Sequence, residues 1–141
     1  MKDDSAGSNR GKHRKRIFSV SLVAIFVLLM GGYVAASLII GSGVRAVSAV
    51  SLREQPGDRI EALMAYADSP KHSLRERNRA VWALGQLGDS RALPLLEKYY
   101  TGGPCDHDQA LCQDELKKAI RLCRGGTNLS AFLWRRGSYR S

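Results

Sequence analysis

The stretch Ser73–Tyr100, SLRERNRAVWALGQLGDSRALPLLEKYY, decides the fold. From Leu74 to Leu87, apolar residues recur at Leu74, Ala80, Val81, Ala83, Leu84 and Leu87, one broad stripe at the period of a helix. Arg75, Arg79 and Gln86 fall on the opposite side, which must meet water or a partner. Gly88 is placed to end this helix, because glycine takes the left-handed conformation after a last turn at little cost. Asp89 or Ser90 then caps a second helix, with Pro94 in or near its first turn, where a missing donor matters least. Its apolar side is Ala92, Leu93, Leu96, Tyr99 and Tyr100. Two short antiparallel helices on a Gly-Asp turn cannot bury both stripes alone, so helical neighbours are required.

The run Arg77-x-x-Ala80-x-x-Ala83-Leu84-Gly85, followed by Leu87-Gly88-Asp89 and Ala92-Leu93-Pro94-x-Leu96, resembles the HEAT-like repeat named after the phycobilisome lyase subunits. The match covers about one repeat of the chain. Glu76 departs from it, standing where the family usually carries an aliphatic residue, so the first turn is expected to fray or to meet something polar. The resemblance implies an α-α superhelical scaffold used for protein contacts. It carries over no chromophore chemistry, since most proteins with this repeat are not lyases.

Flanking helices can be read on both sides of the hairpin. Asp58 starts DRIEALMAYA, in which Ile60, Leu63, Met64 and Ala67 share a face, closed by Pro70 and Lys71. This is the second helix of an incomplete first repeat. After the break Thr101-Gly102-Gly103-Pro104, Asp106 with Gln109 predicts a capped helix start. Cys112, Leu116, Ala119, Ile120 and Cys123 then form a core stripe that ends at Gly125 and Gly126. Leu129, Phe132, Leu133 and Trp134 predict a short closing helix of the kind a finite stack needs.

The N-terminal part has a different character. Residues 1–16 are polar and basic, and residues 17–40, IFSVSLVAIFVLLMGGYVAASLII, carry no charge. At about 1.5 Å per residue this run spans about 36 Å as a helix, enough to cross a hydrocarbon core. The excess of Lys and Arg before Ile17 puts the N-terminus in the cytoplasm and the repeat on the far side. A cleaved signal peptide competes with this uncleaved signal-anchor, because Val47-Ser48-Ala49 has the small residues of a cleavage site. The length of the apolar run favours the anchor. Gly32-x-x-x-Ala36 would let two anchors pack closely, but a homo-oligomer is not the favoured reading.

The chain has 141 residues, 44% of them hydrophobic, which leaves room for one small domain. Its formal charge of +9 is spread over the tail, the helices and the C-terminus rather than gathered on one basic face, so no nucleic-acid partner is expected. Cys105, His107 and Cys112 suggest three readings. Zinc lacks an evident fourth ligand, and no metal is expected. A disulfide between Cys105 and Cys112 fits an oxidising compartment. In the third reading all three cysteines are unpaired and mostly core. Trp82 among Arg75, Arg79 and Gln86 has two readings: a partner-binding patch of hot-spot residue types, or, the stronger one, an indole covered by the spacer or the C-terminal tail.

The resulting expectation is an all-α chain, a short α-α superhelix of HEAT/armadillo-like hairpins preceded by one transmembrane helix. Its parts are a basic tail (1–16), the span (17–40), a spacer (41–57) with a helical extension near Val44–Leu52, the repeat domain (58–126), and a cap and tail (127–141). The expected role is a membrane-anchored adaptor holding a protein partner, with no catalysis and no cofactor. The alternative is a released, periplasmic or secreted enzyme helper, ligand-binding or lyase-like.

Overall fold

The computed structural model describes residues 5–106 and 108–135, with side chains from residue 19 onward. These residues are helical throughout their regular structure, with no strand among them: α1 (Ser5–Glu54), α2 (Arg59–Asp68), α3 (Leu74–Leu87), a 3-10 turn (Ser90–Ala92), α4 (Leu93–Tyr99), α5 (Gln113–Cys123) and α6 (Ala131–Trp134). The chain divides into two compact units, Met1–Ala36 and Ser37–Ser141.

In the first unit, apolar side chains of α1 are exposed on every side of the helix, from Val20 to Met30. A helix apolar all round belongs in lipid or in a large core. Among the described residues, α1 alone is long and apolar enough to cross a membrane.

The second unit begins inside α1. Ser37, Gly41, Val44, Ser48 and Ser51 are buried at i, i+4, i+7, i+11 and i+14, so one face of α1 is a seam of small residues. Val44 belongs to the core, and Ile40 and Val47 pack against it. This differs from the expected spacer over residues 41–57. The helical extension there is not local: α1 runs unbroken to Glu54, and the glycines and serines serve close packing instead of flexibility. A methyl group on Gly41 would lie 2.7 Å from Trp134 Cγ, and one on Gly43 would lie 3.1 Å from the tip of the Trp82 ring. Glycine inside a helix costs about 1 kcal/mol relative to alanine. Here it admits two indoles.

Local signals set the next two helices. Asp58 Oδ1 accepts from the Ile60 and Glu61 amides at 2.8 and 3.0 Å, while Glu61 Oε2 accepts from the Asp58 amide at 2.9 Å. Ser73 and Glu76 form the same reciprocal box on α3: Glu76 Oε2 accepts from the Ser73 amide at 2.9 Å and from its hydroxyl at 2.7 Å. Glu76 is therefore a capping residue, and the first turn of α3 does not fray. Gly88, at φ 65°, ends α3 in the left-handed region.

α3 lies between α2 and α5, and α4 packs on α5. Ala80, Ala83 and Leu84 are fully buried, as are Leu63 of α2 and Leu116 of α5. The second helix of the hairpin starts with a tighter turn than expected. Asp89 caps the 3-10 turn at the Arg91 amide, and α4 begins at Leu93. A turn of three residues instead of 3.6 shifts the register. Leu95 and Leu96 are buried, whereas Tyr100 is exposed.

α5 also starts later than Asp106. The Asp106 carboxylate accepts from the Asp108 and Gln109 amides, and the Asp106 carbonyl accepts from the Ala110 amide, closing a turn that does not propagate. The helix begins at Gln113, after Asn78 of α3 accepts the Cys112 amide at 2.9 Å. Gln113 is 6% exposed and satisfied at both ends, donating to the Tyr99 and Leu111 carbonyls and accepting from the Thr101 amide. It ties the end of α4 to the start of α5.

Asp58 and Asp68 hold the hairpin to α2 through Arg91, Lys98 and Tyr99, while Asp89 holds Arg91 within the hairpin. Asp58 lies below its usual value because it accepts the Glu61 amide and then Arg91; Asp68 is lowered by Lys98 and the Tyr99 hydroxyl, and Asp89 by Arg91. A depressed carboxylate contributes stability above its unfolded value, and that contribution is lost as pH falls through the folded one. The melting temperature is expected to stay level from about pH 7 to 5 and to fall by a few degrees below about pH 4. Thermal melts across that range check this. The drop is small because the Asp58, Asp68, Arg91 and Lys98 side chains are about half exposed.

Candidate functional site

Arg75 and Arg79 lie exposed on the outer face of α3, one turn apart. With Asn78, Trp82, Asp108 and Glu115 they line an open cleft of about 520 Å³. A second cleft, of about 410 Å³, continues along α3 and α5 and includes Trp82, Glu115, Gln86, Lys118, Asn128 and Leu129. Trp82 and Glu115 are shared by the two clefts, so together they make one groove of mixed charge with an indole at its middle.

The four residues singled out from the sequence have different surroundings. Arg75 and Arg79 face the groove. Trp82 is half-buried, with its ring tip against Gly43 of α1, that is, against the segment expected to be a spacer. Gln86 is engaged by the C-terminal segment: Asn128 Nδ2 donates to its side-chain oxygen at 2.8 Å, and Arg135 Nε donates to its carbonyl at 2.8 Å. The second Arg135 donor, Nη2, also reaches that carbonyl. A guanidinium over the last carbonyls of a helix satisfies orphan acceptors and suits the helix dipole.

The sequence groups Asp108 with the cysteines and does not place Asp108, Glu115 or Asn78 at this groove. Helical periodicity could mark the polar face of α3. It could not show that the first turn of α5 would run beside that face.

The Cys105 and Cys112 sulfurs lie 2.6 Å apart, and both are free thiols in this structure. Cys105 accepts the Asp114 amide at 3.2 Å, which pulls its pKa down. The neighbouring Cys112 sulfur and partial burial outweigh that and leave it raised. Cys123 is buried, its thiol pushed up to about 11 mainly by desolvation, so at neutral pH it is an inert core residue. His107, the middle member of the zinc reading, lies outside the described residues. Among the described residues no cluster of His, Cys, Asp and Glu converges to hold a metal ion.

The deciding comparison concerns the hairpin. Residues 76–101 match the PBS lyase HEAT-like repeat. That range takes in α3 from Glu76 onward, the 3-10 turn and all of α4. The HEAT-like repeat is thus similar to one helical hairpin of this chain, which α2 and α5 flank as the neighbours such a unit needs. Repeats of this kind serve as helical scaffolds for protein contacts. No curated protein and no solved structure matches the chain.

Proposed function

We propose that this chain is a membrane-anchored scaffold that holds a protein partner without catalysing a reaction. Its N-terminus is cytoplasmic and its repeat unit lies on the other side of the membrane. The observation that carries retention of the anchor is the closure of Trp134 and Trp82 onto Gly41 and Gly43. A cut after Ala49 would remove both glycines and Val44, stripping the cover from two indoles and opening the core. The basic excess before Ile17 supports the orientation.

The HEAT-like hairpin supports a contact role, and the groove supplies a surface for it. Arg75 and Arg79 beside Trp82 offer charge to an acidic protein segment and an apolar plate to its neighbour. In an oxidising compartment Cys105 and Cys112 join as a disulfide, closing the loop before α5.

Arg79→Glu is expected to abolish most cross-linking to the partner in intact cells, with binding weakened about tenfold or more. The melting temperature should not move, because the Arg79 side chain is exposed. Unchanged cross-linking would remove the groove from the proposal. The intact mass of the same protein reads the other two parts: it should include residues 1–49 and be lighter by one pair of hydrogens for the disulfide. A mass beginning beyond Ala49 would replace the anchor with a released form.

A further inference from the structure

The last turn of the apolar run belongs to the folded unit. Ser37 is 1% exposed, whereas its neighbours Leu38 and Ile39 are 54% and 70% exposed. A helix needs roughly 20 residues to cross the hydrocarbon core, and residues 17–36 already supply that length. Residues 37–40 then lie at the level of the headgroups. Whatever covers Ser37 lies at that level too.

α6 meets α1 just beyond this level. Trp134 packs on Gly41, within about one helical turn of Leu38. Arg135, holding the end of α3, fixes α6 in place. With Trp134 turned inward at 4% exposed, Leu129, Phe132 and Leu133 face outward at 72%, 61% and 41%. Three large apolar residues on a segment this short are costly in water. The sequence continues Arg135-Arg136, and Arg45 is exposed one turn beyond Gly41. Aromatic and aliphatic residues bordered by arginines form the pattern of a membrane interface.

We propose that Leu129, Phe132 and Leu133 rest in the interface of the bilayer, beside Leu38 and Ile39, as a second membrane contact made by the end of the chain. This rests on the membrane-anchored reading. The surface adjoins α1 at Gly41, the residue after the apolar run, and the arginines beside it in sequence favour anionic headgroups. The folded unit is then held at two points, and its orientation over the membrane is restricted.

Photocross-linking tests this in the full-length protein, reconstituted in nanodiscs of phosphatidylcholine with phosphatidylglycerol. Benzoylphenylalanine replaces Phe132 in one variant, Leu28 in a second and Lys71 in a third. Phe132 is exposed and aromatic, so the substitution does not threaten the core. Lys71 adjoins His72, which meets Glu54 at the far end of α1 about 20 Å along the helix from the apolar run. Phospholipid adducts are expected at positions 132 and 28, each several-fold above position 71. Adducts at 28 with only the position-71 level at 132 would overturn this inference and leave the anchor standing. The same holds for adducts at 28 with a protein dimer cross-linked through 132. No adduct above the position-71 level at 28 or 132 would overturn both.

Discussion

Replacing Trp134 with alanine is expected to lower the melting temperature of the folded unit by about 15 °C or more. The indole is 4% exposed and sits on a glycine that admits nothing larger. Truncating a buried Trp costs about 3–5 kcal/mol, and in a domain of this size each kcal/mol shifts the midpoint by about 4–8 °C. The cavity opens between α1 and α6, in the apolar cluster against which the half-buried Trp82 packs. Trp82 fluorescence therefore reports the melt, since it becomes the only indole left. A shift below about 5 °C would mean that α6 does not close the fold.

Gly85→Val is expected to destabilise the unit by about 3 kcal/mol, at the upper end of what overpacking usually costs. A methyl group on Gly85 would meet Ala119 Cα at 2.7 Å and its Cβ at 2.9 Å, and backbone cannot turn aside as a long side chain can. α3 and α5 would have to separate along the closest line in the core. Gly85→Ala makes a useful control. It gains about 1 kcal/mol of helix propensity while suffering the same first clash, so a smaller net loss is expected. Denaturant titrations of both variants should rank Val below Ala and Ala below the natural chain. An alanine variant more stable than the natural chain would show that the two helices are not held this close.

Gly85 also shows how far the sequence could be read. The hairpin was legible because its signals are local: Ser73 with Glu76 at one end of α3, Gly88 at the other, and an apolar stripe between them. Even there, Glu76 was weighed as a departure from a family pattern when it is half of a capping box. The start of α5 was misplaced because Asp106 and Gln109 give the same local signal whether the turn continues or stops. The residue that stops it, Asn78, comes from α3 and is distant in sequence.

The seam on α1 was hidden for a similar reason. Gly41, Gly43, Ser48 and Ser51 are what a flexible spacer contains, and only the two tryptophans on the glycines and the burial of the serines give them another meaning. In the groove, Arg75 and Arg79 followed from helical periodicity. Their acidic counterparts Asp108 and Glu115 did not, because the turn before α5 and the first turn of α5 reach the groove only through tertiary packing.

The contact between Gly41 and Trp134 joins the beginning of the folded unit to nearly its last residue. During translation the seam is made early and its lid emerges late, after the whole repeat has been synthesised. Until then Gly41 has no cover, although Trp82 already reaches Gly43. The unit therefore stays open until residue 134 is in place, and a stop codon placed just before Trp134 would leave it permanently unfinished.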